Sequence, residues 1–170
     1  GQVSGSQEAK PNLSSTTDAA SYKNFKDSIA WIEKCNEMRQ RENQSEGTNL
    51  QPLGITDEAM FVAVLHADYS SNVLGHHAQT TGCDYRGSFG ENLAWGRLNG
   101  GDGPFSMWYT AEKPNYQQTP VWNNTTGHYL NIVNKNYTVT GFAIQSATPT
   151  YSYTYAQEFS RYTHGCKAYT

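Results

Sequence analysis

The chain has no long hydrophobic run, no cluster of basic residues, little charge and few cysteines. Its longest apolar stretch, Ala59 to Leu65, falls far short of the roughly 20 residues needed to span a bilayer. No transmembrane segment is therefore expected. Lys and Arg total 12 against 15 Asp and Glu, for a net charge of −3. The basic patch that a nucleic-acid partner requires is missing, so nucleic-acid binding is excluded. The three cysteines, Cys35, Cys83 and Cys166, stand too far apart for the paired spacing of a structural zinc cluster. They permit one disulfide and one free thiol, in any of three pairings, or no bridge at all. Neither a Gly-x-Ser-x-Gly string nor a glycine-rich phosphate loop occurs, which removes the motif basis for serine-nucleophile and nucleotide chemistry.

Polar uncharged residues take up the room. Charged residues make up 16% and apolar residues 36% of the chain, both low for a globular protein, while Ser, Thr, Asn, Gln and Tyr abound. That composition suits an extracellular protein. The chain opens on Gly1 rather than Met, so a secretion signal removed upstream is expected. A length of 170 residues fits one domain with at most a short appendage.

Residues 1–17 are rich in Ser, Gln, Gly and Thr and read as a disordered linker or tail, with a single domain over 18–170. A helix is predicted from Asp18, as N-cap, to about Asn43, with Tyr22, Phe25, Ile29, Ile32, Cys35 and Met38 as its apolar stripe. Pro52 to Ile55 reads as a turn that tucks an apolar pair onto the core. Thr56 or Asp57 caps a second helix to about Asn72. Its first half is apolar on every side, the pattern of burial between layers. Gly82 to Gly90 is loop, and Leu93 to Gly96 is a short extended segment. Phe105 to Lys113 is helical and stops before Pro114; Tyr116 to Gly127 is polar loop. Tyr137 to Ser146 and Tyr151 to Phe159 alternate as strands around a turn at Thr148 to Thr150, forming an antiparallel hairpin. Helices first and a hairpin last give an α+β class.

Three of the five histidines fall between Leu74 and Val133. His76 and His77 precede Gly90-Glu91-Asn92-Leu93; Glu112 comes next; Thr126-Gly127-His128-Tyr129 closes the set. Imidazoles and carboxylates on separate loops are the ingredients of a polar cleft or a metal site. Each also has a simpler role: Glu91 can pin its loop through backbone N–H groups, and Glu112 can pair with Lys113 in solvent. Adjacent helical residues point about 100° apart, so only one of His76 and His77 can face a small cavity. His66 and His164 read as structural or surface groups.

These strings resemble the CAP superfamily of cysteine-rich secretory proteins, antigen 5 and pathogenesis-related proteins. Asn36-Glu37-Met38-Arg39 is similar to the Asn-x-x-Arg of its first helix, and Gly90-Glu91-Asn92-Leu93-Ala94 to its Gly-Glu-Asn signature. Trp108 with Glu112 resembles its Trp-x-x-Glu helix. Gly127-His128-Tyr129 before Asn131-Ile132-Val133 resembles its Gly-His-Tyr signature. The resemblance implies a three-layer α-β-α sandwich with a central antiparallel sheet. It also implies a cleft formed by His76, Glu91, Glu112 and His128, with His76 and His128 as ligands for zinc or another divalent cation. The Leu-x-His-Ser pattern of the family aligns better with His76 than with His77.

Two departures stand out. Glu112 follows Trp108 one residue late, with Ala111 in its place, so either the helix carries a one-residue insertion or that position is lost. The disulfides of eukaryotic members are missing, which points to a bacterial, secreted or cell-envelope member. The function implied is a binding module whose ligand is a lipid, peptide, glycan or protein. The alternative is a metal-dependent hydrolase, a protease or esterase, with Glu91 or Glu112 as general base.

Overall fold

The computed structural model describes residues 15–76, 89–98, 100–146 and 151–161. His77, His164, Cys83, Cys166, most of the expected tail, the glycine-punctuated loop before Phe89 and the turn at Thr148 to Thr150 lie outside the described residues.

Helix α1 spans Tyr22–Glu46, strand β1 Gly54–Ile55, helix α2 Asp57–Asn72 and strand β2 Phe89–Trp95. A π-helical turn covers Ser106–Thr110, followed by α3 (Lys113–Gln118), α4 (Gly127–Ile132), β3 (Val139–Ser146) and β4 (Tyr153–Ser160). The strand order is β1-β3-β4-β2. The β3–β4 hairpin and the β4–β2 pair are antiparallel. The two-residue β1 runs parallel to β3, so the sheet is mixed rather than purely antiparallel.

Helix α2 covers one face of the sheet through small residues: Ala63 and Ala67 meet Leu93, Ala143 and Ala156. Gly141 makes that approach possible, because a Cβ there would lie 2.1 Å from the backbone carbonyl carbon of Ala59. The other face carries the larger core, in which Ile32, Cys35 and Met38 of α1 pack with Phe105, Trp108, Tyr129, Ile132, Phe142 and Phe159. Helices on both faces of one sheet make the three-layer α-β-α sandwich.

Several element boundaries differ from the expectations, each for a local reason. Helix α1 starts at Tyr22 with Ser21 as N-cap, not at Asp18. Its first turn buries polar groups instead of the apolar stripe: the Asn24 amide donates to the carbonyls of Thr17 and Asp18 and to Ser146 Oγ. Tyr22 and Phe25 are left 74% and 46% exposed. Helix α2 is capped by Thr56 as expected, but its outer side exposes Phe61, so it lies on the sheet and is not enclosed. Of the apolar pair near β1, Leu53 is buried and Ile55 is half exposed. Pro114 sits in the first turn of α3, where its missing N–H costs nothing. The Tyr116 to Gly127 segment therefore begins helical, and α4 follows where no element was expected.

The Asn36 and Arg39 pair of the first-helix string ties α1 to the rest of the fold. Asn36 accepts from the Leu53 N–H at 2.7 Å and donates to the Leu53 carbonyl at 3.1 Å. Arg39, 1% exposed, donates to the carbonyls of Gln51, Ile132 and Asn134. The last two lie at the C-terminal end of α4, where a cation complements the orphan carbonyls and the helix dipole.

Candidate functional site

Strand β2 is the sheet edge away from β1, and successive residues on it point to opposite faces. Glu91 shares the α2 face with its register partner Glu158, and Asn92 turns to the α4 face. Gly90, also on that face, admits the Tyr137 side chain, whose hydroxyl would lie 2.4 Å from any added Cβ. The Gly-Glu-Asn string thus serves both sides of one edge strand.

On the α2 face, Glu91 is held between two imidazoles. Its Oε1 accepts from His76 Nδ1 at 2.6 Å, and its Oε2 is bonded to His66 Nδ1. His66 Nδ1 also lies 3.1 Å from Glu158 Oε1. His76 is 60% exposed, whereas the side chains of Glu91, His66 and Glu158 are 10%, 2% and 1% exposed. Burial alone would push the Glu91 carboxyl upward, but hydrogen bonds from Glu158, His66 and His76 outweigh it and hold the group well below the usual carboxylate range. The hydrogen bond to Glu91 raises the pKa of His76 above its ordinary 6.5, against the opposing pull of partial burial.

On the α4 face, Glu112 organises the start of a helix. Its Oε1 accepts from the backbone N–H groups of His128 and Tyr129 at 2.9 and 3.1 Å, and its Oε2 accepts from His128 Nδ1 at 2.6 Å. A carboxylate on the first N–H groups of α4 satisfies donors that no intrahelical carbonyl can reach. The His128 ring stacks on Trp108 with centroids 6.0 Å apart, and the Trp108 indole N–H is fixed to the Leu93 carbonyl at 3.1 Å. Tyr129 is anchored behind the site by its hydroxyl, which donates to buried Glu42, itself paired with Lys113.

The one-residue excess between Trp108 and Glu112 is resolved here. The turn over Ser106–Thr110 is π-helical, and the Ala111 N–H reaches back five residues to the Ser106 carbonyl at 3.0 Å. A π turn absorbs a single inserted residue within a helix. Glu112 thereby reaches His128 despite its later place in the sequence.

The four residues expected in the cleft form two His–Glu pairs, one on each face of β2. Asn92 joins them: its amide donates to the His128 carbonyl at 3.2 Å, and its Oδ1 accepts from Asn131 at 2.9 Å. In both pairs the imidazole donates Nδ1–H to a carboxylate, which leaves Nε2 with the lone pair in the neutral ring. That is the usual outer-shell arrangement of a metal-ligating histidine, so each ring on its own presents a ligand atom. Among the described residues, one group of three could also hold a metal by itself: His66, Glu91 and Glu158 offer donor atoms within 4.8 Å of one another. His66 was not expected at the site. The signal available in the sequence was its position in mid-helix, directly after the run Ala59 to Leu65 that is apolar on every side, where an ionisable side chain needs a partner. Glu158 lay unremarked in the C-terminal strand.

Cys35 carries a free thiol with 0% exposure, which rules out the two pairings that use it. Burial pushes its pKa to about 11, only partly offset by a hydrogen bond from Gln157. No helix among the described residues is long and apolar enough to cross a membrane.

Residues 32–159 match the family model described as "CAP: Cysteine-rich secretory protein family". Among solved structures, the chain resembles NaASP2 with Zn2+ at TM-score 0.57 and 11% identity, covering 88% of this chain and 84% of that one. It also resembles a cysteine-rich secretory protein from Staphylococcus aureus subsp. aureus Mu50 at TM-score 0.53 and 15% identity, covering 83% of this chain. The chain spans only 40% of the length of that protein. At these identities the likeness concerns the fold. No curated protein sequence matches the chain.

Proposed function

The chain belongs to the CAP family, and on that footing we propose that it is a secreted or cell-envelope binding module. Its cleft at the edge of β2 takes zinc or another divalent cation on Nε2 of His76 and His128, and the bound ion organises contacts with a lipid, peptide, glycan or protein ligand. The observation that carries this reading is the matched pair of 2.6 Å bonds from Nδ1 of each imidazole to Glu91 and Glu112. Each carboxylate fixes the tautomer and aim of one ring. With two protein imidazoles and no third ligand assigned among the described residues, the ion is expected to exchange readily, since catalytic zinc sites use three.

The hydrolase alternative is disfavoured by the same bonds. A general base works best with a pKa near the operating pH, and Glu91 is held far below it with both oxygens engaged. Glu112 is likewise committed to three donors. Calorimetric titration of Zn2+ into the wild type and into the His76→Ala, His128→Ala double variant tests the proposal. Saturable binding that the double variant loses is expected; equal uptake by both proteins refutes it. Chelator-sensitive ester or peptide hydrolysis abolished in Glu91→Gln would instead establish the hydrolase.

A further inference from the structure

We infer that His66 and Glu158 are positioning residues, a buried clamp that fixes the Glu91 carboxylate and through it sets the His76 ring at the cleft. The inference rests on the cleft reading above and adds to it two residues outside the His76, Glu91, Glu112 and His128 set.

The geometry runs inward from solvent in one line. His76 is exposed, Glu91 lies behind it, and His66 and Glu158 lie behind Glu91 in the layer between α2 and the sheet. The two oxygens of Glu91 are divided between the two imidazoles, Oε1 to His76 and Oε2 to His66. A carboxylate is planar, so fixing one oxygen at His66 fixes where the other can meet His76. Glu91 and Glu158 are direct register partners on antiparallel strands, where two like charges would repel. The His66 ring stands between them, its Nδ1 bonded to Glu91 Oε2 and 3.1 Å from Glu158 Oε1. Glu91 is thereby gripped from α2 and from β4 at once, and neither element is free to move independently of the sheet. The exposed His76, by contrast, sits just beyond the end of α2, where its orientation depends on the carboxylate it donates to.

The test reads the His76 ring directly. Side-chain 15N shifts, read at a pH above the titration midpoint of His76 where its ring is neutral, report which nitrogen holds the proton. In the wild type His76 is expected as the Nδ1–H tautomer. In His66→Ala it should shift toward the Nε2–H form, and Zn2+ affinity measured by calorimetry should fall about tenfold or more, as for loss of other outer-shell partners. His66→Asn should restore both, because its amide nitrogen stands one bond from Cγ, as Nδ1 does. A merely structural role would lower thermal stability and leave the His76 tautomer and the zinc affinity alone; that result in a folded His66→Ala overturns the inference. Should His66→Ala fail to fold, Glu158→Leu makes the same test from β4, with the same shift expected. Zinc binding that survives the His76→Ala, His128→Ala double variant but is lost in His66→Ala would place the ion in the clamp itself and also overturn the inference. If the wild type takes up no zinc, the cleft reading fails while the tautomer measurement still decides the clamp.

Discussion

At the scale of single residues, the most consequential group is Glu91. Its carboxyl is depressed in the folded state, so the stability it contributes is present above the ordinary carboxylate range and is lost as pH falls through its folded value. His76 has the opposite sign. Its raised pKa contributes stability that is fully present below about 6.5 and is lost as pH rises through the folded value. Glu91→Gln should therefore return the His76 titration, followed by NMR, toward the ordinary value; an unchanged midpoint would mean that another group raises it. Protons and zinc compete for the same ring, so zinc affinity should climb as pH rises past the folded pKa of His76. Cys35 gives a simpler expectation. A fully buried thiol with a pKa near 11 should not react with an aromatic disulfide reagent until the protein is unfolded.

At the scale of elements, two devices can be tested. In Gly141→Ala the new Cβ meets the backbone of α2, which cannot give as a side chain could. A loss of about 3 kcal/mol in denaturant unfolding is expected, at the upper end for overpacking. The π turn invites the opposite result. Deleting Ala111 removes the extra residue, gives Trp108-Tyr109-Thr110-Glu112 the shorter spacing and lets the turn close as an α-helix. The deletion should leave Tm within about 5 °C and keep the Glu112 bonds to α4, whereas a deletion inside α2 should unfold the protein.

These elements also show what was readable in advance. The hairpin, the capped start of α2 and the Gly-Glu-Asn and Gly-His-Tyr strings depend on short-range patterns, and periodicity reports those well. The apolar stripe of α1 misled in its first turn because Asn24 and Ser146 fasten that end through hydrogen bonds, which periodicity does not register. His66 and Glu158 stand 92 positions apart, and nothing local to either marks the other as its partner. The π turn left only a spacing one residue too long, an ambiguity that geometry alone could resolve.

At the scale of the whole molecule, a cation bound to the folded state and not to the unfolded chain stabilises by mass action. Zinc should raise Tm in the wild type, a chelator should reverse the rise, and the His76→Ala, His128→Ala variant should show neither effect. Arg39 sets a limit on how far the site can be loosened. It holds the C-terminal end of α4, which bears His128, to α1 and to the segment before β1. Arg39→Ala should cost on the order of 3 kcal/mol, because three carbonyls, that of Ile132 fully buried, lose a charged donor, and zinc affinity should fall with it.

The division of the site between α2, β2, the π turn, α4 and β4 has a kinetic side. Contacts as distant in sequence as that between His66 and Glu158 close late, after loop closure has been completed. On the proposed reading the cation site is expected to assemble only with these contacts, so zinc should not template folding. The ion should slow unfolding in stopped-flow experiments while leaving the refolding arm of the chevron where it is.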